Sequence, residues 1–260
     1  MYRSVRPGYK PTLLRNIYVF VIHQITKHFS TYIVGNTKQV LDSFYPDRGS
    51  NPKYLIINNG VDLAEFARDA RKSARKEFGI PSECMVIGHV GRFHKSKNHI
   101  VMLRSFAKVA AENRQVCLLL VGYGELEAII KEEIQALGLQ GKVYWAGRRT
   151  DISNMLNTMD IFFYPSIFEG LPNALLEAMA CKLPIVASNI PEIAEITPEE
   201  MKKGLIDPND IYAFSNSLVR LIRDSKQREI LGRIGRQYVG KNYSIQFSVE
   251  KLSRCWMKGL

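Results

Sequence analysis

Cysteine is scarce in this 260-residue chain: Cys84, Cys117, Cys181 and Cys255 stand far apart, with no Cys-x-x-Cys pair and no Cys/His cluster. That excludes a disulfide-stapled secreted fold and a structural zinc site, and places the chain in a reducing interior. Long apolar runs are missing too. The first ten residues mix Pro7, Gly8 and three bases, and no apolar block long enough to span a bilayer follows. Neither a signal peptide nor a membrane span is therefore expected. Acidic residues are in deficit, 25 against 36 Lys and Arg, which leaves a formal charge of +11. Such a charge attracts phosphates, but the bases of residues 220–258 are interspersed with core-spaced Leu, Ile, Val, Tyr and Trp. A solvated basic face and attraction to an anionic bilayer or polymer both fit that pattern, and no nucleic-acid partner is expected. With 46% apolar residues and no internal repeat, the chain is globular and long enough to bury a large core.

Hydrophobic spacing then orders the chain. Leu13, Leu14, Ile17, Val21, Ile25 and Phe29 recur at helical intervals, predicting an amphipathic helix over 12–29 that packs on a protein surface or lies at a membrane interface. A strand at 32–34, a helix at 37–45, a turn-rich linker at 46–52 and a strand at 55–57 follow, then a helix at 72–78 capped by Gly79. From residue 84 the pattern becomes regular. Apolar strands at 85–90, 116–121, 143–145, 161–164 and 185–187 alternate with helices at 98–112, 125–137, 152–157, 172–180, 213–223 and 227–238. Continuously apolar strands between helices predict an α/β fold, a doubly wound Rossmann-like parallel sheet with helices on both faces. Ligands of such sheets bind beyond the C-terminal strand ends.

Three loops fall at those ends. Gly88 to His99 carries Gly91, Arg92 and Lys97, a guanidinium and an ammonium suited to a diphosphate or simply a basic loop. His89, His94 and His99 are too irregularly spaced for a metal site. Val121-Gly122-Tyr123-Gly124 allows close backbone approach, to a ligand or in packing, but lacks the third glycine of the dinucleotide fingerprint. The third, from Phe168 to Cys181, places Glu169 in a loop and Glu177 inside the following helix, with the amides of Gly170 and Leu171 free for an anion at the helix start. Paired carboxylates suit glycosidic hydrolysis. A carboxylate beside a phosphate site suits hydrogen bonds from ribose and sugar hydroxyls better. Two solvent-facing glutamates favoured by the helix dipole are the plain alternative.

Asn58-Asn59-Gly60-Val61-Asp62, the segments 88–98, 121–126 and 143–147, and above all 164–188 resemble in order and spacing the C-terminal half of retaining GT-B glycosyltransferases. The likeness is to the large group that builds bacterial exopolysaccharide, capsule and lipopolysaccharide. It implies that Arg92 and Lys97 stabilise a donor diphosphate, Glu169 contacts the transferred sugar and Glu177 holds the ribose. The backbone from Gly147 through Arg148 to Arg149 would hold the base. Gly91, Gly122, Gly124, Gly170 and Leu171 complete the implied donor site. The resemblance further implies a nucleotide-sugar donor, UDP-linked before GDP-linked, no obligatory metal or other cofactor, and a lipid-linked or polysaccharide acceptor. Only a remnant of the N-terminal domain is recognised, in residues 1–52, ahead of the donor domain at 53–241 and a C-terminal crossover helix at 242–260. His23 and His28 match no catalytic position. The expected partners are accordingly a separately encoded N-terminal half or a second copy, at the cytoplasmic, inner face of an anionic membrane. A noncatalytic nucleotide-sugar-binding or assembly module is the alternative.

Overall fold

The computed structural model describes residues 12–67, 69 and 74–258, and the chain divides into two units. The first holds α1 (Leu13–Phe29), β1 (Ile33–Gly35), α2 (Lys38–Phe44) and β2 (Tyr54–Ile56), together with residues 246–258 of the last helix, α11 (Ile245–Lys258). Thr37 caps α2 by accepting from the Val40 amide, the usual arrangement for a hydroxyl at that position. Parallel pairing of β1 with β2 closes a small core of Ile33, Leu41, Tyr45 and Tyr54. The division falls after Gly60 and not after Pro52. The predicted linker at 46–52 lies between α2 and β2, inside the unit, because β2 completes the sheet begun by β1. Leu14, Tyr18 and Phe29 of α1, and Val249, Leu252 and Trp256 of α11, are exposed.

The second unit, residues 61–245, is built on β3 (Met85–Val90), β4 (Val116–Val121), β5 (Val143–Gly147), β6 (Ile161–Tyr164) and β7 (Ile185–Ala187). They form one parallel sheet in the order β5-β4-β3-β6-β7. Side chains of a strand alternate between faces, so an apolar strand feeds two cores. Cys117, Leu119 and Val121 enter one core with Phe162 and Tyr164; Val116, Leu118 and Leu120 enter the other with Ile161 and Phe163. Every residue of β4 and β6 is buried. Each fully buried Leu or Phe contributes about 2 kcal/mol, so the sheet centre is the stable frame from which its loops project.

The helices are α3 (His99–Glu112), α4 (Glu127–Ala136), α5 (Ile152–Thr158), α6 (Asn173–Ala180), α7 (Pro191–Ile196), α8 (Glu199–Lys202), α9 (Ile211–Arg223) and α10 (Ser225–Asn242). The short α7 and α8 were not anticipated from spacing. Of the helix predicted at 72–78, residues 72 and 73 lie outside the described residues and the remainder forms a turn. Gly79 nonetheless takes the left-handed conformation expected of it, with φ of 63°. Residues 1–10, read above as lacking a signal peptide, also lie outside them. Among the described residues, no helix is long and apolar enough to cross a membrane.

From β3 the chain winds outward through β4 and β5, then returns through α5 to lay β6 against the other side of β3. The winding direction reverses between β3 and β6, the point at which sheets of this kind bind their ligands.

Candidate functional site

Two of the anticipated loops meet at that reversal. After β3 the chain makes a 3-10 turn at Lys95–Lys97, closed by Asn98 in the left-handed region, φ of 57°, which asparagine tolerates better than most residues. The Asn98 side-chain amide donates to the Pro208 carbonyl at 2.7 Å, anchoring the turn. After β6, the Ile167 amide donates to the Ser96 carbonyl at 2.8 Å, tying the second loop to the first.

Across this junction the Lys97 ammonium donates to Glu169 Oε1 at 2.6 Å and to the Tyr164 hydroxyl at 2.7 Å. The pair is sheltered, with side-chain exposures of 15% for Lys97 and 8% for Glu169. An ion pair so far from water is rigid and costly to break from one side only. Tyr164 is fully buried; that burial, and then the charge of Glu169, raise its phenol well above its ordinary value, so the hydroxyl stays protonated. Beneath it lies His89, whose ring stacks on Tyr164 at 5.5 Å and whose Nδ1 is 3.0 Å from the Phe163 carbonyl. A carbonyl can only accept, so Nδ1 carries the proton. His89 meets His99 edge-on at 5.1 Å. Burial lowers both imidazoles, His99 to about 4, with Lys97 adding to the effect in each, so both are neutral. They form a neutral aromatic floor, and among the described residues no group of His, Cys, Asp and Glu could hold a metal ion.

Glu177 stands within α6, mostly buried, and no hydrogen-bond donor or cation pairs with its carboxylate among the described residues. Burial first, then the charge of Glu65, raises it from 4.5 to about 6. Glu65 is brought near by Arg236, which donates to the carbonyls of Leu63, Phe66 and Ala180 and so holds the 61–67 segment beside α6. At the start of α6, Pro172 is the cap residue, and the amides of Gly170 and Leu171 donate to no acceptor among the described residues. Gly170 faces open space: a Cβ there would meet nothing within 4 Å. Arg92 is exposed and makes no ion pair among the described residues. Among the described residues, the Arg92 guanidinium, the Gly170 and Leu171 amides and the Glu177 carboxylate are thus without protein partners.

The glycines of the second loop have a different task. A Cβ on Gly122 would lie 1.9 Å from the Gly91 carbonyl oxygen, and one on Gly124 would lie 2.4 Å from that of Phe93. The Gly91 and Phe93 amides donate to the carbonyls of Val121 and Tyr123, both at 2.9 Å. Gly122 and Gly124 are therefore required where two loops zip together. Arg149 is likewise spent within the protein, on Asp151 at 2.8 Å and Glu77 at 2.5 Å. Arg148 lies over the Tyr123 ring at 5.2 Å, and Gly147 keeps a left-handed φ of 67° with open space beside it. Sequence reasoning missed Tyr164 and did not connect His89 to the site. A histidine inside an otherwise apolar strand was the signal for the second.

The model of the family described as glycosyl transferases group 1 matches residues 70–238. An Escherichia coli UDP-Gal:α-D-GlcNAc-diphosphoundecaprenol α-1,3-galactosyltransferase is 34% identical over 206 residues, covering 77% of this chain and 53% of its own. The capsular polysaccharide biosynthesis glycosyltransferase CapM of Staphylococcus aureus is 28% identical over 196 residues, covering 75% and 52%. The chain thus spans about half the length of these curated relatives. Anabaena HepE, crystallised with UDP and glucose, superposes with a TM-score of 0.84 at 18% identity over 99% of this chain and 70% of its own, a likeness of fold.

Proposed function

The chain belongs to the group 1 glycosyl transferases, and on that footing we propose that it is the donor-binding half of a retaining GT-B enzyme using a UDP-sugar. The carrying observation is the Lys97–Glu169 pair at the sheet's reversal point, flanked by the unpartnered amides of Gly170 and Leu171 and by the unpaired Glu177. A nucleoside diphosphate sugar offers groups that match each of these. Phosphate oxygens take the amides, Arg92 and Lys97; ribose hydroxyls donate to Glu177; hydroxyls of the sugar donate to Glu169 as Lys97 turns to the phosphate. The open backbone from Gly147 to Arg149 receives the base.

In this reading, breaking the bond from sugar to diphosphate builds negative charge on the leaving oxygens and positive charge on the sugar carbon. Arg92, Lys97 and the two amides oppose the first change from fixed positions. Glu169 is engaged by a cation at 2.6 Å, which suits a holding and charge-stabilising role and disfavours a proton donor for hydrolysis. The acceptor hydroxyl enters on the face the diphosphate leaves, and a departing phosphate oxygen takes its proton. We assign it a lipid-linked or polysaccharide acceptor; the E. coli relative acts on a diphosphoundecaprenol-linked sugar. The exposed apolar side chains of α1 and α11 are assigned to a GT-B N-terminal half. Its cytoplasmic work at an anionic inner-membrane face would be tested by sedimentation with vesicles; binding indifferent to anionic lipid would sink that part.

Calorimetric titration of the folded chain with UDP, GDP and the corresponding UDP-sugars tests the site. Micromolar to millimolar binding of a nucleoside diphosphate is expected. Absence of binding by every nucleotide tried would refute it.

A further inference from the structure

We propose that Tyr164 is a positioning residue for Lys97, the fixed pivot on which the ammonium turns from Glu169 to the donor diphosphate. The assignment rests on the donor-site reading above. An ammonium has three tetrahedral donors. In Lys97 two are taken, by the Tyr164 hydroxyl at 2.7 Å and Glu169 Oε1 at 2.6 Å, so the direction of the third is fixed.

The two anchors differ in stiffness. Glu169 sits in a loop, on a side chain with three rotatable bonds. Tyr164 ends β6, is fully buried, and has its ring stacked on His89 at 5.5 Å and on Phe162 at 5.6 Å. His89 is in turn held by the Phe163 carbonyl. The hydroxyl is therefore carried by the sheet itself, while the lysine's four-carbon stem would otherwise be free to follow Glu169 wherever that loop goes.

This arrangement has a chemical consequence. Were Glu169 the only partner, Lys97 would be neutralised by it, and an incoming diphosphate would have to break the pair outright. With Tyr164 holding one N–H, Lys97 exchanges the carboxylate for a phosphate oxygen by a small rotation. The carboxylate is then released to the sugar hydroxyls at the same moment. The phenol serves as hydrogen-bond acceptor toward Lys97 and undergoes no proton transfer, in keeping with its deep burial.

Calorimetry with UDP and with uridine on the full chain, in wild type, Tyr164→Phe, Lys97→Met and the double variant, tests this. GDP and guanosine serve as a parallel pair. Phenylalanine keeps the ring stack and removes only the hydroxyl, and circular dichroism confirms the fold. Tyr164→Phe is expected to weaken the nucleoside diphosphate about tenfold while leaving the nucleoside unchanged. In the Lys97→Met background the same substitution should cost nothing more, since a residue acting through Lys97 has no effect without it. Diphosphate affinity unaltered by Tyr164→Phe, or an equal loss in both backgrounds, would overturn the assignment alone. Wild-type protein that binds diphosphates no better than nucleosides would overturn the donor reading, and the pivot with it.

Discussion

Lys97 Nζ lies 2.6 Å from Glu169 Oε1, joining the loop after β3 to the loop after β6 across the point where the sheet reverses its winding. On the reading proposed above, the two groups part when the donor binds, Lys97 to the diphosphate and Glu169 to the sugar. Removing the carboxylate leaves a sheltered, uncompensated ammonium, a change that costs a folded protein about 3 kcal/mol. Glu169→Ala is therefore expected to lower the melting temperature without ligand, and UDP should restore more stability than it adds to the wild type. Transfer should fall about 10²-fold or more, because the charge facing the sugar is gone. Differential scanning fluorimetry with and without UDP, beside a transfer assay, checks both halves. Loss of UDP binding in this variant would contradict the assignment of phosphate to Lys97.

Glu177 makes a second prediction through pH. Its folded-state value of about 6 stands above the 4.5 of an unfolded glutamate. As pH rises from 4.5 to 6 the unfolded chain releases the proton first, so stability is lost across that window and the full cost stands above pH 6. The gap corresponds to about 2 kcal/mol. Glu177→Gln should accordingly stabilise the ligand-free protein by about that amount at pH 7.5 and by nothing at pH 4, measured by urea unfolding. The same variant should bind UDP more weakly at pH 7.5. A glutamate that destabilises its own fold is understandable where a ligand's hydroxyls satisfy it.

Much of this was legible in the sequence. The strands at 85–90, 116–121, 161–164 and 185–187 were read with their observed bounds because they lie between the two cores and so carry largely apolar runs, interrupted in the first by Gly88 and His89. Lys97 and Glu169 were legible as residues of loops that follow strands, and Glu177 as one inside the helix after the second loop. What spacing could not supply was pairing. That Lys97 touches Glu169, 72 positions later, depends on β6 lying beside β3, a consequence of sheet order. Helices α7 and α8 escaped because six and four residues hold too few turns to show a period. Gly122 and Gly124 could be read from sequence as a ligand turn or a packing turn, because in both cases another atom approaches the α-carbon; the structure shows the packing contact.

Charge on the leaving diphosphate supplies a third prediction. In the proposed site Arg92, Lys97 and the amides of Gly170 and Leu171 balance it, so transfer is expected to proceed at an unchanged rate in the presence of EDTA. Lys97→Ala should slow it about 10²-fold or more. If a chelator stopped the reaction and magnesium or manganese restored it, these residues would not be the groups that balance the charge.

Gly124 and Gly170 form a contrasting pair, one pressed against protein and one against open space. A methyl group at Gly124 would lie 2.4 Å from the Phe93 carbonyl oxygen and 2.9 Å from its amide nitrogen, positions that backbone cannot yield cheaply. Phe93 is fully buried, packed edge-on against Trp145 at 4.7 Å and His99 at 5.0 Å, so displacement passes into the floor beneath Lys97. Gly124→Ala should cost about 3 kcal/mol in urea unfolding, the upper range for overpacking a core. At Gly170 nothing lies within 4 Å, and alanine there should leave stability within about 0.5 kcal/mol of wild type. Its methyl group would instead stand beside the amides offered to phosphate, so Gly170→Ala should weaken UDP severalfold while uridine binds as before. The opposite pattern, a folded Gly124→Ala with full stability and impaired UDP binding, would return the second loop to the donor site.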